Sequence, residues 1–570
     1  MLKKKDTEIN MDLLDVAVDQ FFPPATAEFI KTQARLFQVN DKGRRYSSVF
    51  KQYCLSLYFS SPKAYKDLAA SKLFCLPNPI TLKRFTHTIY LTPGIQNVAF
   101  QILKIKTETL KEIDKYCILC LDEMSLKAHL FYNSTRDKII GFEDVGLDNM
   151  YTDKLLPACN VAVILVRGIC QSWKQPLAYF FTNSTLDSSQ LLNILHEAIL
   201  GLRNIGLKVL CVISDMDSNF VKLSELLHIS IEKQYFEINN EKIFYMFDVP
   251  HLIKATRNNL LRHSYVDEDK VTSWQYISDL YNDDKSKQCH IAPRLTDAHI
   301  ALNNFQRMKV KYATQILSAT VSAALNTYIS LGILPAKAAF TAEFIERFNK
   351  LFDLLNSSTL YNSNPNKKAF TNSDEQNLFL NETLSFLQRV KVISKTKKDV
   401  TRSITSIKCW IITIKSLLQL WKELEQAQSP IQFLLTRRFN QDALENFFGI
   451  VRNQNGNAFN PTPIQFYHSF KKLFCINYCQ VNTGNCEVDK DTVLVQSTNF
   501  QEIDMLTIQT ADNNNNTSIN VEIDNYEYRN MPIIEENAFT YICGYLLKRC
   551  FIKHTCEACE RIYFQRKVVI

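Results

Sequence analysis

Tyr116-Cys117-Ile118-Leu119-Cys120-Leu121-Asp122 and Val209-Leu210-Cys211-Val212-Ile213-Ser214-Asp215 decide how this chain is read. Each is an apolar run of buried-strand length that ends on a carboxylate. Between them lie a partly alternating run at residues 127–132, apolar runs at 161–167 and 177–182, and a helix opened at Ser188 with Leu191, Leu192, Leu195, Ile199 and Leu202 at helical spacing. The order is close to β-β-β-α-β, so Asp122 and Asp215 belong to strand ends of one sheet. Strand ends are where α/β folds place their sites. Hard carboxylate oxygens there suit Mg²⁺ or Mn²⁺, and a pair of such ions ~3.5–4 Å apart stabilises the attacking and leaving oxygens of an in-line phosphoryl displacement.

A third carboxylate is then expected from a helix packed on the sheet, and Asn440-Gln441-Asp442-Ala443-Leu444-Glu445-Asn446-Phe447-Phe448-Gly449 supplies it. Leu444, Phe447, Phe448 and Val451 form a buried stripe, while Asp442 and Glu445 share another face. Taken singly, each Asp is a turn or cap residue and Glu445 a surface residue. Taken together, two strand-end aspartates and a carboxylate on a later helix point to a metal-dependent nuclease or strand transferase.

The composition bounds the alternatives. A chain of 570 residues with 46% hydrophobic and 11% aromatic residues folds as several domains. Only 12 glycines are present, with no G-x-x-x-x-G-K-[ST] and no G-x-G-x-x-G, so P-loop and dinucleotide signatures are missing. The balance of 66 Lys+Arg against 58 Asp+Glu gives +8, which permits a nucleic-acid partner. The 16 cysteines are scattered, several inside apolar runs, and read as reduced thiols of the cytosol or nucleus. The most apolar stretches are short or interrupted, so no membrane partner is expected.

Residues 1–115 read as helical. Ser61-Pro62 is an N-cap followed by proline at the first helical position, and Leu76-Pro77-Asn78-Pro79 is a turn before Thr81-Leu82-Lys83-Arg84-Phe85. Two short helices around a turn fit a helix-turn-helix, and equally a packed hairpin with a solvated basic face. Beyond Asp215 strand signals fade and helical segments run to about Arg438, with Phe344, Phe348, Leu351, Phe352 and Leu355 on one face. Residues 362–375 and 512–516 are polar islands of loop character. In Phe247-Asp248-Val249-Pro250-His251-Leu252-Ile253-Lys254 the aspartate caps a helix and Lys254 offers a point charge to a phosphate. Cys550, His554, Cys556 and Cys559 offer four soft ligands compatible with Zn²⁺, and Cys475, Cys479 and Cys486 are further thiols that such a site could draw on.

Four segments, residues 121–127, 212–219, 247–254 and 441–449, occur in this order and together resemble the P element transposases and their THAP-type relatives. The likeness runs from about residue 40 to 560. It implies an α/β RNase H-like catalytic domain of the DDE class, interrupted by a large all-α GTP-binding insertion and preceded by a helix-turn-helix. Asp122, Asp215 and Glu445 then look like the catalytic triad that holds Mg²⁺ or Mn²⁺, the same acids that the spacing selects. Asp248 and Lys254 would contact GTP or its metal, Lys270, Val271, Asp353 and Asn356 would read the nucleobase, and Asp442 would join them. A carboxylate such as Asp353 can accept both guanine N–H donors. GTP would be an assembly cofactor that is not hydrolysed. The implied partners are transposon ends and target DNA, bound by a homo-oligomer (dimer or tetramer) in the nucleus.

The expected organisation is a helical lead-in at 1–40, a helix-turn-helix region at 41–115, the first RNase H-like part at 116–225, the insertion at 226–430, the final helical part at 431–480, a low-complexity linker at 481–535 and a Cys/His-rich segment at 536–570. One departure from the family pattern is that no Cys precedes Cys54 and no His precedes His87, so the family's N-terminal THAP zinc finger is missing. Two rival readings follow: a domesticated, catalytically silent DNA-binding or regulatory protein, and a GTP-binding regulator.

Overall fold

The computed structural model describes residues 11–87, 91–108, 110–133, 137–146, 156–184, 186–288, 290–479 and 492–493. The chain opens with helices α1 (Met11–Phe21) and α2 (Pro24–Phe37), joined by a 2.6 Å ion pair between Lys31 and Asp19. Helices α3 (Ser48–Ser60), α4 (Pro62–Ala70) and α5 (Pro79–His87) follow. Ser61 caps α4 through its hydroxyl, and Pro62 occupies the first turn where no N–H is needed. Gln33 of α2 accepts from Cys75 N at 2.7 Å and donates to Cys75 O at 3.4 Å, in the turn before α5. Helix α2, in the stretch expected as a lead-in, therefore packs against the turn before α5.

After β1 (Gly94–Ile95) and α6 (Asn97–Thr107) comes β2 (Tyr116–Ser125), a side hairpin of β3 (Phe131–Asn133) and β4 (Lys138–Ile140), then β5 (Asn160–Gly168) and β6 (Trp173–Thr182). The main sheet is completed by α7 (Ser188–Asn204), β7 (Lys208–Ser214), α8 (Ser218–Leu226), β8 (Tyr235–Ile238) and β9 (Glu241–Phe247). The strand order is β1-β6-β5-β2-β7-β9-β8, with β2, β5 and β6 antiparallel and β2, β7 and β9 parallel. Every residue of β6 is buried, which is why its sequence does not alternate.

Three readings change here. Residues 127–130 form a loop, and only Phe131–Asn133 is a strand, in the side hairpin rather than the sheet. Strand β2 runs on to Ser125 against β5, so Asp122 lies inside it. The sheet also gains β8 and β9 beyond Asp215, where mostly helical segments were expected. Their signal is local: Asn239 and Asn240 both take positive φ in the two-residue turn between them.

The insertion follows. It comprises α9 (Val249–Arg262), β10 (His263–Asp267), β11 (Lys270–Val271), α10 (Trp274–Asp284), the short α11 (Asp297–Ile300) and α12 (Asn304–Met308), α13 (Val310–Ile316), α14 (Ala319–Ser330), α15 (Ala339–Leu355), α16 (Asp374–Arg389) and β12 (Lys391–Ser394). It is helical except for the ribbon β11-β10-β12. Its core is aromatic: Tyr265 meets Phe344 with ring centres 4.6 Å apart, and Phe348 meets Trp410 at 5.9 Å. Each such ring taken out of water contributes roughly 1.5–3 kcal/mol. Trp410 belongs to α17 (Thr405–Gln426), which returns to the sheet before residue 430: Phe247 N donates to Thr413 Oγ1 at 3.0 Å and Ser416 Oγ to Tyr245 O at 2.6 Å. Helices α18 (Asp442–Gln454) and α19 (Pro463–Cys479) close over the other side, with Phe470 against Tyr179 of β6 at 4.7 Å. The short β13 (Thr492–Val493) pairs with β6. The proposed Zn²⁺ ligands Cys550, His554, Cys556 and Cys559, and Cys486, lie outside the described residues. No described helix is long and apolar enough to cross a membrane.

Candidate active site

The parallel register sets the site. Leu121 of β2 pairs with Ser214 of β7, and Ser214 with Phe247 of β9. The next residue in each case is an acid, so Asp122, Asp215 and Asp248 stand side by side along one edge of the sheet. Asp215 is 7% exposed and Asp248 1%. The Glu123 N–H donates to Asp122 Oδ1 at 2.8 Å, and the Asp217 N–H to Asp215 Oδ1 at 3.0 Å.

Helix α18 is tied to this edge by its first residues. Gln441 N donates to Asp248 Oδ1 at 2.8 Å, and Gln441 Nε2 donates to Leu121 O. Asp248 also caps α9, accepting from His251 N at 2.9 Å and sharing a 2.7 Å hydrogen bond with His251 Nδ1. One turn into α18, Glu445 reaches 3.8 Å from His251 Nδ1 while its side chain stays 46% exposed. Glu445 therefore forms the open rim of a site whose floor is Asp122 and Asp215.

The electrostatics are those of crowded acids. Burial, and then the neighbouring Asp215 charge, holds the Asp122 carboxyl well above the usual range. Burial and Asp217 push Asp215 up to about 6, and burial pushes Glu123 to about 7 and Glu445 upward. For His251 burial acts downward, but the Asp248 carboxylate outweighs it and the imidazole is brought up to about 9. One imidazolium does not balance these acids.

This donor set, hard oxygens short of positive charge, fits a divalent cation. Among the described residues no group of three His, Cys, Asp or Glu side chains converges to metal-holding distance. His251, clamped by Asp248 and facing Glu445, supplies the positive charge between them.

The nucleotide residues divide in two. Asp248 caps α9 with both oxygens engaged in hydrogen bonds; Lys254, one turn from His251 along α9, lies close enough to lower the Glu445 carboxyl. Asp353, Asn356 and Asp442 lie where the insertion meets α18, whereas Lys270 and Val271 lie towards the opposite end of α15, where Ser273 N donates to Thr341 Oγ1 at 3.0 Å. Asn356, just past α15, accepts from Asn440 Nδ2 at 3.0 Å. Asp442 pairs with Arg437 at 2.9 Å, and Asp353 with Lys367 at 3.8 Å. Lys270 and Val271 form β11, exposed, and β11 packs against α15. Burial holds the Asp353 carboxyl above its usual value.

Sequence reasoning missed Glu123, Asn219 and Gln441. Asn219 Nδ2 donates to Glu123 Oε1 at 2.8 Å and fastens α8 to β2. Glu123, next to Asp122 in a strand otherwise apolar through Leu121, was the available signal.

A split sheet of this order, entered by a long helical insertion and closed by a carboxylate-bearing helix, defines an RNase H-like domain of the transposase type. Family models match in the same arrangement: the TNP-like RNase H N-terminal domain at residues 91–228, the TNP-like GTP-binding insertion domain at 250–369 and the TNP-like RNase H C-terminal domain at 438–471. The HTH domain of the transposable element P transposase-like group matches residues 17–85. The chain belongs to the P element transposase-like family.

Its relatives include the transposable element P transposase of Drosophila melanogaster, 29% identical over 91% of this chain and 66% of that protein. DNA transposase THAP9 of Homo sapiens is 28% identical over 75% of this chain and 48% of that protein. The chain thus spans about two thirds of the first relative's length and half of the second's. A Drosophila P element transposase strand transfer complex superposes with a TM-score of 0.69 at 28% identity, covering 82% of this chain and 98% of that one.

Proposed function

We propose that this chain is a DNA strand transferase that cleaves and joins DNA by metal-dependent phosphoryl transfer, with guanine nucleotide as a cofactor that is not hydrolysed. The observation that carries the reading is the juxtaposition of Asp122 and Asp215, each the residue after the last β2–β7 pair, beneath Glu445. These three carboxylates would hold Mg²⁺ or Mn²⁺, which when bound neutralises charge at phosphorus. Asp122 and Asp215 provide a rigid floor because the β2–β7 register fixes them. Asp248 positions Glu445 through Gln441 and His251.

Lys254, Asp353, Asn356 and Asp442 are proposed to hold the nucleotide at the junction of the insertion and α18, with Lys270 and Val271 proposed to contribute from β11 beside α15. Asp353, half-buried with only a long contact to Lys367, suits the two N–H donors of guanine. The absence of a P-loop from the sequence agrees with a nucleotide that is bound and not consumed. The helices at 48–87 would contact DNA, and the chain would act as a homo-oligomer on transposon ends and target DNA in the nucleus.

The test is nicking and strand transfer on plasmid DNA with Mn²⁺ or Mg²⁺, with and without GTP, for the parent and for Glu445→Ala. Activity that disappears with Glu445 supports the reading. Silence in both, with DNA still retained in a gel shift, replaces it with a silent DNA-binding protein.

A further inference from the structure

Within the insertion one charge imbalance lies away from the acids. Arg257 of α9 is fully buried. Its Nη2 donates to Arg307 O and its Nε to Asn258 Oδ1, each at 2.9 Å, but its Nη1 is buried with no acceptor. Arg307 has a buried, unsatisfied Nε as well. Among the described residues neither guanidinium has a carboxylate within ion-pair distance. A buried charge without a counter-charge costs several kcal/mol, and burial together with Arg307 pulls Arg257 down to about 10.

Arg307 lines an open cavity of about 520 Å³ with Arg262, Lys395 and Asn303 among apolar neighbours. The cavity lies at the end of the ribbon where His263 of β10 pairs with Ser394 of β12, whereas Lys270 and Val271 lie at the opposite end of β10. Further exposed cations follow the lining residues along the chain: Lys309 and Lys311 after Arg307, and Lys397, Lys398 and Arg402 after Lys395. None of these makes an ion pair among the described residues. Asp399, the acid of that hairpin, already accepts from Thr401 N and Oγ1 at 2.9 and 2.6 Å.

We infer that this cavity and its basic rim form a second phosphate-binding surface, and that its ligand is the sugar-phosphate backbone of duplex DNA. Two features favour a backbone over a free nucleotide. No carboxylate or aromatic ring lines the cavity to read a base, and the exposed cations that follow the lining residues on two separate segments carry more positive charge than one compact triphosphate needs. Backbone contacts position a duplex and carry no sequence information. The surface would thus hold flanking DNA in place while other parts of the chain select the site. This inference rests on the proposed action on DNA.

The test is fluorescence anisotropy of a labelled duplex against the full chain over a KCl series. The parent is compared with Arg262→Ala/Lys395→Ala and Lys397→Ala/Lys398→Ala, all exposed positions that leave the core intact. Each lost phosphate contact lowers the slope of log K against log salt by about 0.9, so each pair is expected to lower it by about two and to weaken binding roughly ten- to a hundred-fold near 0.1 M salt. A parent that binds DNA with slopes unchanged in both pairs overturns the inference while leaving the proposed function standing. A parent that binds no duplex overturns both. Thermal stabilisation of the parent by inorganic tripolyphosphate, lost in the pairs without a change of DNA slope, also overturns it and assigns the cavity to a compact polyphosphate.

Discussion

The acid edge of the sheet and the basic cavity of the insertion are opposite solutions to one problem. At the sheet edge, carboxylates on adjacent strand ends are held by the register and lifted by burial and mutual repulsion, with a single imidazolium among them. In the insertion, a buried guanidinium has only neutral partners and a second arginine for company. Structural ion pairs elsewhere in the chain are balanced, such as Arg389, which clasps Asp267 through two nitrogens at 2.7 and 2.9 Å. Where charge stays uncompensated at the cost of folding energy, a ligand of the opposite sign would account for it: on the proposals above, a cation at the edge and a phosphate in the cavity.

The largest effect tests the edge. Glu445→Ala, Asp122→Asn or Asp215→Asn is expected to reduce plasmid cleavage and strand transfer by about a thousandfold or more, since each removes part of the electrostatic stabilisation at phosphorus. Retained cleavage in any of the three would separate these acids from the chemistry.

Next comes Asp248, which resembles its neighbours in sequence but is saturated with hydrogen bonds. Asp248→Ala removes the α9 cap, about 1 kcal/mol, and leaves the buried Gln441 N–H and the His251 ring unpaired, about 1–3 kcal/mol more. A loss of about 3 kcal/mol in urea unfolding is expected, with strand transfer falling because Glu445 loses its anchor. A stability change below about 1 kcal/mol would mean that Asp248 is not the clamp.

A smaller effect follows from protonation. In the folded chain the Asp215 carboxyl rises from 3.8 to about 6, so between those values the folded state holds more protons than the unfolded one. Stability contributed by this group is complete at low pH and is lost as pH rises through about 6. Asp215→Asn removes that loss, so without divalent ions it should be more stable than the parent by about 2 kcal/mol at pH 6.5, with the difference shrinking towards pH 4.5. Thermal melts across this range check it; a difference that grows on acidification contradicts the crowding.

How much of this was legible in the sequence differs between the two regions. Asp122 and Asp215 could be found because a buried parallel strand is a continuous apolar run, and an acid after it is conspicuous. Glu445 could be found because the apolar stripe of α18 has a separate acidic face. The hairpin of β8 and β9 was hidden by its shortness, with the Asn239–Asn240 turn as its only strong mark. The engaged role of Asp248 was partly visible as a cap, but its bond to Gln441, 193 residues away, belongs to tertiary structure. The basic cavity was invisible: Arg262, Arg307 and Lys395 are far apart in sequence, and nothing in a helical pattern says that the Arg257 side chain is buried without an anion.

The smallest effect is the one that sharpens the comparison most. If Arg257 is kept for a ligand rather than for the fold, Arg257→Met should leave stability within about 1 kcal/mol of the parent. The two hydrogen bonds it loses, about 1.5–3 kcal/mol each for a charged donor, are offset by release of the several kcal/mol that an unpaired buried charge costs. Arg307 O is not orphaned, since Asn258 Nδ2 still reaches it at 3.4 Å. The same variant should bind duplex DNA more weakly, with a shallower salt dependence, because the cavity loses the field behind Arg307. Urea unfolding and anisotropy on one preparation decide the matter. A loss of 3 kcal/mol or more with DNA affinity unchanged would make Arg257 a structural strut, and charge imbalance would then mark a ligand site at the sheet edge alone.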